Sequence, residues 1–187
     1  ETTGTFTPKP RNYLLRVLGV KVPVVSDEAY QGYDYKTSKV ISLGTTQVFQ
    51  SMEHFRLDGN TVSAEEVIFG ALSAADSFAF VTDRYTVCLV GNDENGVLYA
   101  ADQFAEDYLG VRFLAPEVIY VPQKDSARVL SQSSLFAPQF AYRQYLNSAT
   151  YYPSQTADIE YTRHMRFNGD YAPSASAGDS GFTWYTE

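Results

Sequence analysis

Two short runs in the chain are apolar at every position, FAFV at 78–81 and VCLV at 87–90. A strand that is apolar at both parities must be covered on both faces. These runs therefore predict central strands of a sheet, paired as a hairpin through Asp83 and Arg84. The period then changes to that of a helix. Val97/Leu98, Ala101, Phe104/Ala105 and Tyr108/Leu109 form one stripe, and Gly110 closes it. Asn92, Asp93 and Asn95 stand before that stripe as N-cap candidates. Asp102, Glu106 and Asp107 fall off the stripe, which places them on a solvated helix face.

Weaker patterns fill in the rest. Residues 1–7 alternate Thr with other residues and read as a strand. Pro8 or Pro10 then opens a helix carrying Tyr13, Leu14, Val17 and Leu18, with Gly19 as its stop. Val22, Val24 and Val25 suggest an edge strand broken by Pro23. A polar, Tyr-rich loop over 26–39 leads to a buried strand, KVISLG at 39–44. Gln47 to Phe55 fits a short helix, and LDGN at 57–60 carries a turn signal. Val118–Val121 and Ala127–Leu130 read as short strands, Ser131–Ser134 as a linker, Phe140–Leu146 as an alternating strand and Thr156–Phe167 as a helix. Residues 173–181 read as a small, polar loop. Two units are expected: an α/β sandwich over 1–132, and a strand–helix pair over 133–187 too small to bury its own core. That pair either packs back on the first unit or opens a larger α/β domain.

Composition narrows the function. In 187 residues there are 15 Tyr and 12 Phe, with 44% hydrophobic residues, which excludes bulk disorder. Lys and Arg number 14 against 22 Asp and Glu, a net charge of −8. That balance repels phosphate backbones and anionic membrane surfaces and does not penalise a neutral sugar. No apolar run approaches the ~18–20 residues of a membrane-spanning helix, and Glu1 opens a polar stretch unlike a signal peptide. The single cysteine, Cys88, lies inside an apolar run and reads as a core residue without a disulfide partner. His54 and His164 lack a second ligand at metal spacing and read as surface residues, so no metal or cofactor is expected.

Three motifs have structural readings that outweigh chemical ones. Gly91-x4-Gly96 before a helix has the outline of a phosphate loop. No Lys-Ser/Thr follows it, and Asp93 and Glu94 sit inside it, so it reads as a turn and cap. GDSG at 178–181 matches a protease nucleophile segment around Ser180 without a His in a base context. The carboxylate groups Asp93/Glu94 and Asp102/Glu106/Asp107 read as surface, not as an acid/base pair. The loop tyrosines Tyr30, Tyr33 and Tyr35 could stack on sugar rings or simply cover core edges.

The segment VCLVGNDENGVLYAADQFAEDYLGVRFLAP, Val87 to Pro116, resembles the N-terminal accessory domain of alpha-glucuronidases and related glycoside hydrolases. It carries a Gly-containing turn, a helix of the form G-x-L-Y-A-x-x-x-F-x-E-x-x-L-G, and then R-(aromatic)-x-A-P. Leu43-Gly44, Val121-Pro122 and PQFAYR at 138–143 extend the likeness, which is closest to a bacterial branch. The resemblance implies an α+β fold: a small α/β sandwich with a mixed sheet, followed by the first β/α unit of a (β/α)8 barrel, as in beta-hexosaminidases. It implies that Arg143 ends the first barrel strand and contacts sugar hydroxyls, with Gln144 where relatives have Gly. Asn168, in RFN at 166–168, matches a residue closing the first barrel helix and is, with Arg143 and Tyr33, a candidate carbohydrate-binding residue. In such relatives the acid/base carboxyls lie on later strands. The chain itself is then expected to be a non-catalytic, exported module of a carbohydrate-active protein, partnered by carbohydrate and by the rest of a barrel or another copy. The alternative is a free-standing sugar-binding module with Tyr33 in its platform.

Overall fold

The computed structural model describes residues 9–30, 39–52, 54–57, 59–67, 70, 72–83, 85–130, 133–143 and 155–168. In chain order the elements are α1 (Lys9–Leu18), β1 (Val40–Leu43), α2 (Gln47–Gln50), β2 (Phe55–Leu57), β3 (Asn60–Val62), α3 (Ala64–Glu66), β4 (Phe78–Asp83) and β5 (Thr86–Gly91). Then come α4 (Glu94–Phe104), β6 (Arg112–Ala115), β7 (Val118–Tyr120), β8 (Ser134–Phe136) and α5 (Gln155–His164).

The two all-apolar runs take the central places. The main sheet has the order β1-β5-β4-β8, with β1 parallel to β5 and the other pairs antiparallel. The β4/β5 register sets Phe80 opposite Leu89 and Val81 opposite Cys88, which sorts the side chains onto two faces. Phe78, Phe80, Val87 and Leu89 face α1 and α4, where Tyr13, Leu14, Val17, Tyr99 and Phe104 bury against them. Ala79, Val81, Cys88 and Val90 face Val48, Phe49, Met52, Leu57, Val67 and Leu72, from α2, the β2–β3 hairpin and the α3 region. The fold is thus α+β, a mixed sheet covered on both sides.

Local signals hold these covers in place. Thr46 caps α2 by accepting from the Phe49 amide, and Ser63 and Glu66 form a reciprocal capping box on α3. Gly59 takes a left-handed φ of 87° in the β2–β3 turn. Directly after α4 the chain continues as a π-helical turn, Ala105–Leu109, which ends on Gly110 at φ 77°. The Gly91…Gly96 pair is a matter of close approach. A Cβ on Gly91 would lie 2.2 Å from the Val97 amide nitrogen, and one on Gly96 would lie 2.4 Å from the Ser77 carbonyl oxygen. The turn-and-cap reading therefore has a steric cause.

Several expected elements differ. Residues 22–25 form no strand: Val22 packs on the core edge, Pro23 has no amide to donate, and Val24 and Val25 stay half exposed. Residues 127–130 form no strand either. Ala127 and Val129 pack on the α1/α4 core, but the free edge of β4 is taken by β8. The expected linker is structural, since Ser133 is buried, bridges Leu57 and accepts a hydrogen bond from the Thr82 amide, and Ser134 opens β8. Residues 140–143 lie in no strand. Gln47–Gln50 is shorter than the helix expected there, because Phe55 already opens β2. The boundary expected at 132/133 falls just before β8. The expected strand at 1–7, residues 144–146, the 173–181 loop, Tyr33, Tyr35 and Ser180 lie outside the described residues. No helix among the described residues is long and apolar enough to cross a membrane.

Two predictions follow from the packing. Gly96→Ala is expected to destabilise the fold by about 1–3 kcal/mol in urea denaturation, because the new methyl meets backbone and not a movable side chain. The second concerns alkali. Burial raises the Cys88 thiol from 9.0 to about 12. Burial, with the Asp102 carboxylate adding to it, raises the Tyr13 phenol from 10.0 to about 12. A folded-state pKa above the unfolded one leaves stability intact below the unfolded value and removes it as pH rises toward the folded value. The urea midpoint should therefore hold level up to about pH 9 and fall between pH 9 and 12. Cys88→Ala should delay the onset of that fall.

Candidate functional site

Arg143 and Asn168, 25 residues apart in sequence, are brought together on a third residue that sequence reasoning missed, Asp76. Asp76 ends the loop before β4 with a left-handed φ of 60°, a conformation that Asp tolerates better than most residues. Its amide donates to Asp93 Oδ2 at 2.8 Å, while Asp93 Oδ1 accepts from the Gly96 amide at 2.7 Å. One carboxylate thus caps α4 and fixes the turn that presents the other.

The Asp76 carboxylate is 4% exposed. Its Oδ2 accepts from Arg143 Nη2 at 2.7 Å and from Asn168 Nδ2 at 2.6 Å, and its Oδ1 accepts from Asn95 Nδ2 at 3.2 Å. Arg143 also donates from Nε to the Arg166 carbonyl at 2.7 Å and from Nη1 to the Phe140 carbonyl at 2.6 Å. Asn168 closes the ring: its Oδ1 accepts from the Arg143 amide, its amide donates to the Arg143 carbonyl, and its Nδ2 reaches the Ala141 carbonyl. A cavity of about 390 Å³ adjoins this knot, walled by Phe78, Phe136, Pro138, Phe140 and Met165. Phe140 and Tyr142 beside it are 70% and 57% exposed. The Tyr99 phenol is raised by burial first and by the Asp76 charge second, with Arg143 opposing.

A second polar contact lies on the same helix. His164 Nδ1 and Asp102 Oδ2 are 2.7 Å apart, both residues are buried, and the Phe113 ring stacks on the imidazole at 3.8 Å. This corrects the surface assignment of both residues. The signal was present: Leu98, Asp102, Ala105 and Leu109 share a helix face at spacings of four and three, and the last two are fully buried. His164 has its carboxylate partner but is sealed under Phe113, and no nucleophile is placed against it among the described residues. Asp93 is occupied as a cap, and Cys88 sits on the far face of the sheet against Met52. Among the described residues no three His, Cys, Asp or Glu side chains gather as a metal site. Tyr33 lies outside the described residues.

The arrangement can hold a guanidinium in a fixed orientation beside an aromatic-walled cavity. Comparison with family models, with curated proteins and with solved structures finds no match to this chain.

The knot predicts strong coupling. Asp76→Asn should destabilise the protein by on the order of 3 kcal/mol, because Arg143 loses the charge of its partner in a largely buried site. Adding Arg143→Met should recover much of that loss. A denaturation double-mutant cycle with additive effects would sink this account.

Proposed function

We propose that the chain is a non-catalytic accessory module of a carbohydrate-active, glycoside hydrolase-like protein, exported from a bacterial cell. The residues after the sandwich would open a barrel, with α5 as its first helix although 140–143 form no strand, and Arg143 is its one sugar contact. The observation that carries this reading is the Asp76–Arg143–Asn168 knot. The residues that the resemblance assigns to the barrel's first strand and first helix meet there on a carboxylate from the sandwich. The knot fastens them down while Phe140 and Tyr142 stay uncovered, as an interface to further structure requires. Among the described residues, Asp93 is engaged as a cap and Asp102 with His164 as a buried pair, which favours a supporting role. Fold likeness alone does not carry an activity, so the reading rests on these residues.

Two measurements test it. The purified chain, offered aryl glycosides including glucuronides, is expected to show no turnover above an Arg143→Ala control. The reading frame after codon 187 is expected to encode the rest of a barrel bearing a carboxylate pair. Turnover that depends on Arg143, or a stop codon there, would overturn the proposal.

A further inference from the structure

The two edges of the main sheet differ. At the β8 edge the chain closes over itself in part, where Ser133 bridges to Leu57 and accepts from the Thr82 amide. At the other edge, no strand pairs with the outer side of β1 among the described residues. In the parallel register with β5, the Val40 and Gly44 amides donate to the Tyr85 and Leu89 carbonyls. Residues 40, 42 and 44 therefore bond inward, and by alternation the N–H and C=O groups of Ile41 and Leu43 point to the free side. Such an edge is a template for a further strand.

A groove of about 380 Å³ lies along that side, between β1 and residues 22–26. Pro23 stands in this outer wall, and Val24 and Val25 are half exposed. Leu14 and Val22 line the groove on the sheet face that also carries Ile41 and Leu43. Ser42, Thr46 and Val48 line it on the other face. Its two ends carry opposite charge. Lys39 precedes β1, and Asp27 lies past the opposite end, where its carboxylate accepts from the Gln47 amide at 3.1 Å. Neither Lys39 nor Asp27 is in an ion pair among the described residues.

We propose that this groove binds an extended segment of another protein, which adds antiparallel to β1 and lengthens the sheet. Antiparallel addition sets the N-terminal end of the segment beside Asp27 and its C-terminal end beside Lys39. A fitting segment therefore begins with a basic residue and ends with an acidic one. Its residues opposite Leu43 and Ile41 meet Leu14 and Val22 and are apolar. The residues between them meet Ser42 and Thr46 and are small hydroxyl residues. The occupant is a single strand and not a second copy of the chain, because a copy offering its own β1 edge brings its own 22–27 segment into the same space. The cavity at Arg143 adjoins β8 at the far edge of the sheet, so the two sites are separate.

The test titrates the whole chain with the fluorescein-labelled hexapeptide Lys-Val-Thr-Val-Thr-Glu, read by polarisation and by NMR of the backbone amides. Binding is expected with a Kd below about 1 mM, and the Ile41 and Leu43 amides should gain protection from exchange. Replacing the N–H groups of the two valines, which face β1, by ester oxygens should weaken binding by roughly 10-fold or more. The same change at the two threonines, whose N–H groups face away, should leave it within about threefold. Lys39→Glu should weaken the hexapeptide by roughly 10-fold and favour the reversed Glu-Val-Thr-Val-Thr-Lys. The proposal is overturned by no binding at about 1 mM, by equal losses from the two ester pairs, or by sedimentation showing that the chain pairs with itself and protects Ile41 and Leu43 without peptide. Should Lys39→Glu fail to fold, the ester peptides still decide.

Discussion

The requirement that governs this molecule is that β4 and β5 be shielded from water on both faces. Two runs of four ladder positions, 78–81 and 87–90, carry apolar side chains throughout, so neither face can be left to solvent. One face is met by regular helices, α1 and α4. The other is met by fragments: a one-turn α2, a three-residue α3 and a short hairpin. Helices that short are not stable by propensity. They persist because Val48, Phe49, Leu57 and Val67 are needed beneath the sheet, and because caps at Thr46 and Ser63 satisfy their ends. The steric pinch at Gly91 and Gly96 belongs to the same requirement, since it lets α4 start directly above the end of β5.

A different logic attaches the later residues. Burying two carboxylates is costly, and replacing such pairs by apolar residues often leaves stability unchanged or higher. The knot at Asp76 and the pair at Asp102 are therefore better understood as fixing where the segment sits than as adding net stability. A polar contact with several partners accepts one geometry, whereas an apolar patch tolerates sliding. Asp76 shows the cost directly, holding a left-handed backbone so that its carboxylate meets Arg143, Asn95 and Asn168 together.

How much of this the sequence discloses follows from the range of the interactions. The β4–β5 hairpin, α1 with its stop at Gly19, α4 with its cap at Asp93, and β1 were legible because each depends on contacts within a few residues and on the count of apolar positions. The edge elements were not. Residues 22–25, 127–130 and 134–136 have similar strand-like composition, and only competition for the free side of β4 selects the last. Arg143 and Asn168 were singled out by motifs, but their meeting on a shared carboxylate was not read from them. Asp76 was not singled out, since its role arises from partners 67 and 92 residues away. His164 and Asp102 were misjudged for a related reason: charge was taken to mean exposure, although each supplies the other's partner across 62 residues.

The same distances bear on what Arg143 can do for a ligand. A guanidinium has five N–H donors, and the bonds to Asp76, Phe140 and Arg166 take one each. The side chain remains 18% exposed, so donors are left on a group whose rotamer is already fixed. Ordering a free arginine costs up to ~2 kcal/mol of side-chain entropy, and here that cost has been met in folding. A hydroxyl-bearing ligand entering beside Phe140 would gain hydrogen bonds without that penalty. Asp76 thus serves both roles at once: the carboxylate that pins the segment is also what would make Arg143 a rigid contact, so weakening the clamp weakens the contact with it.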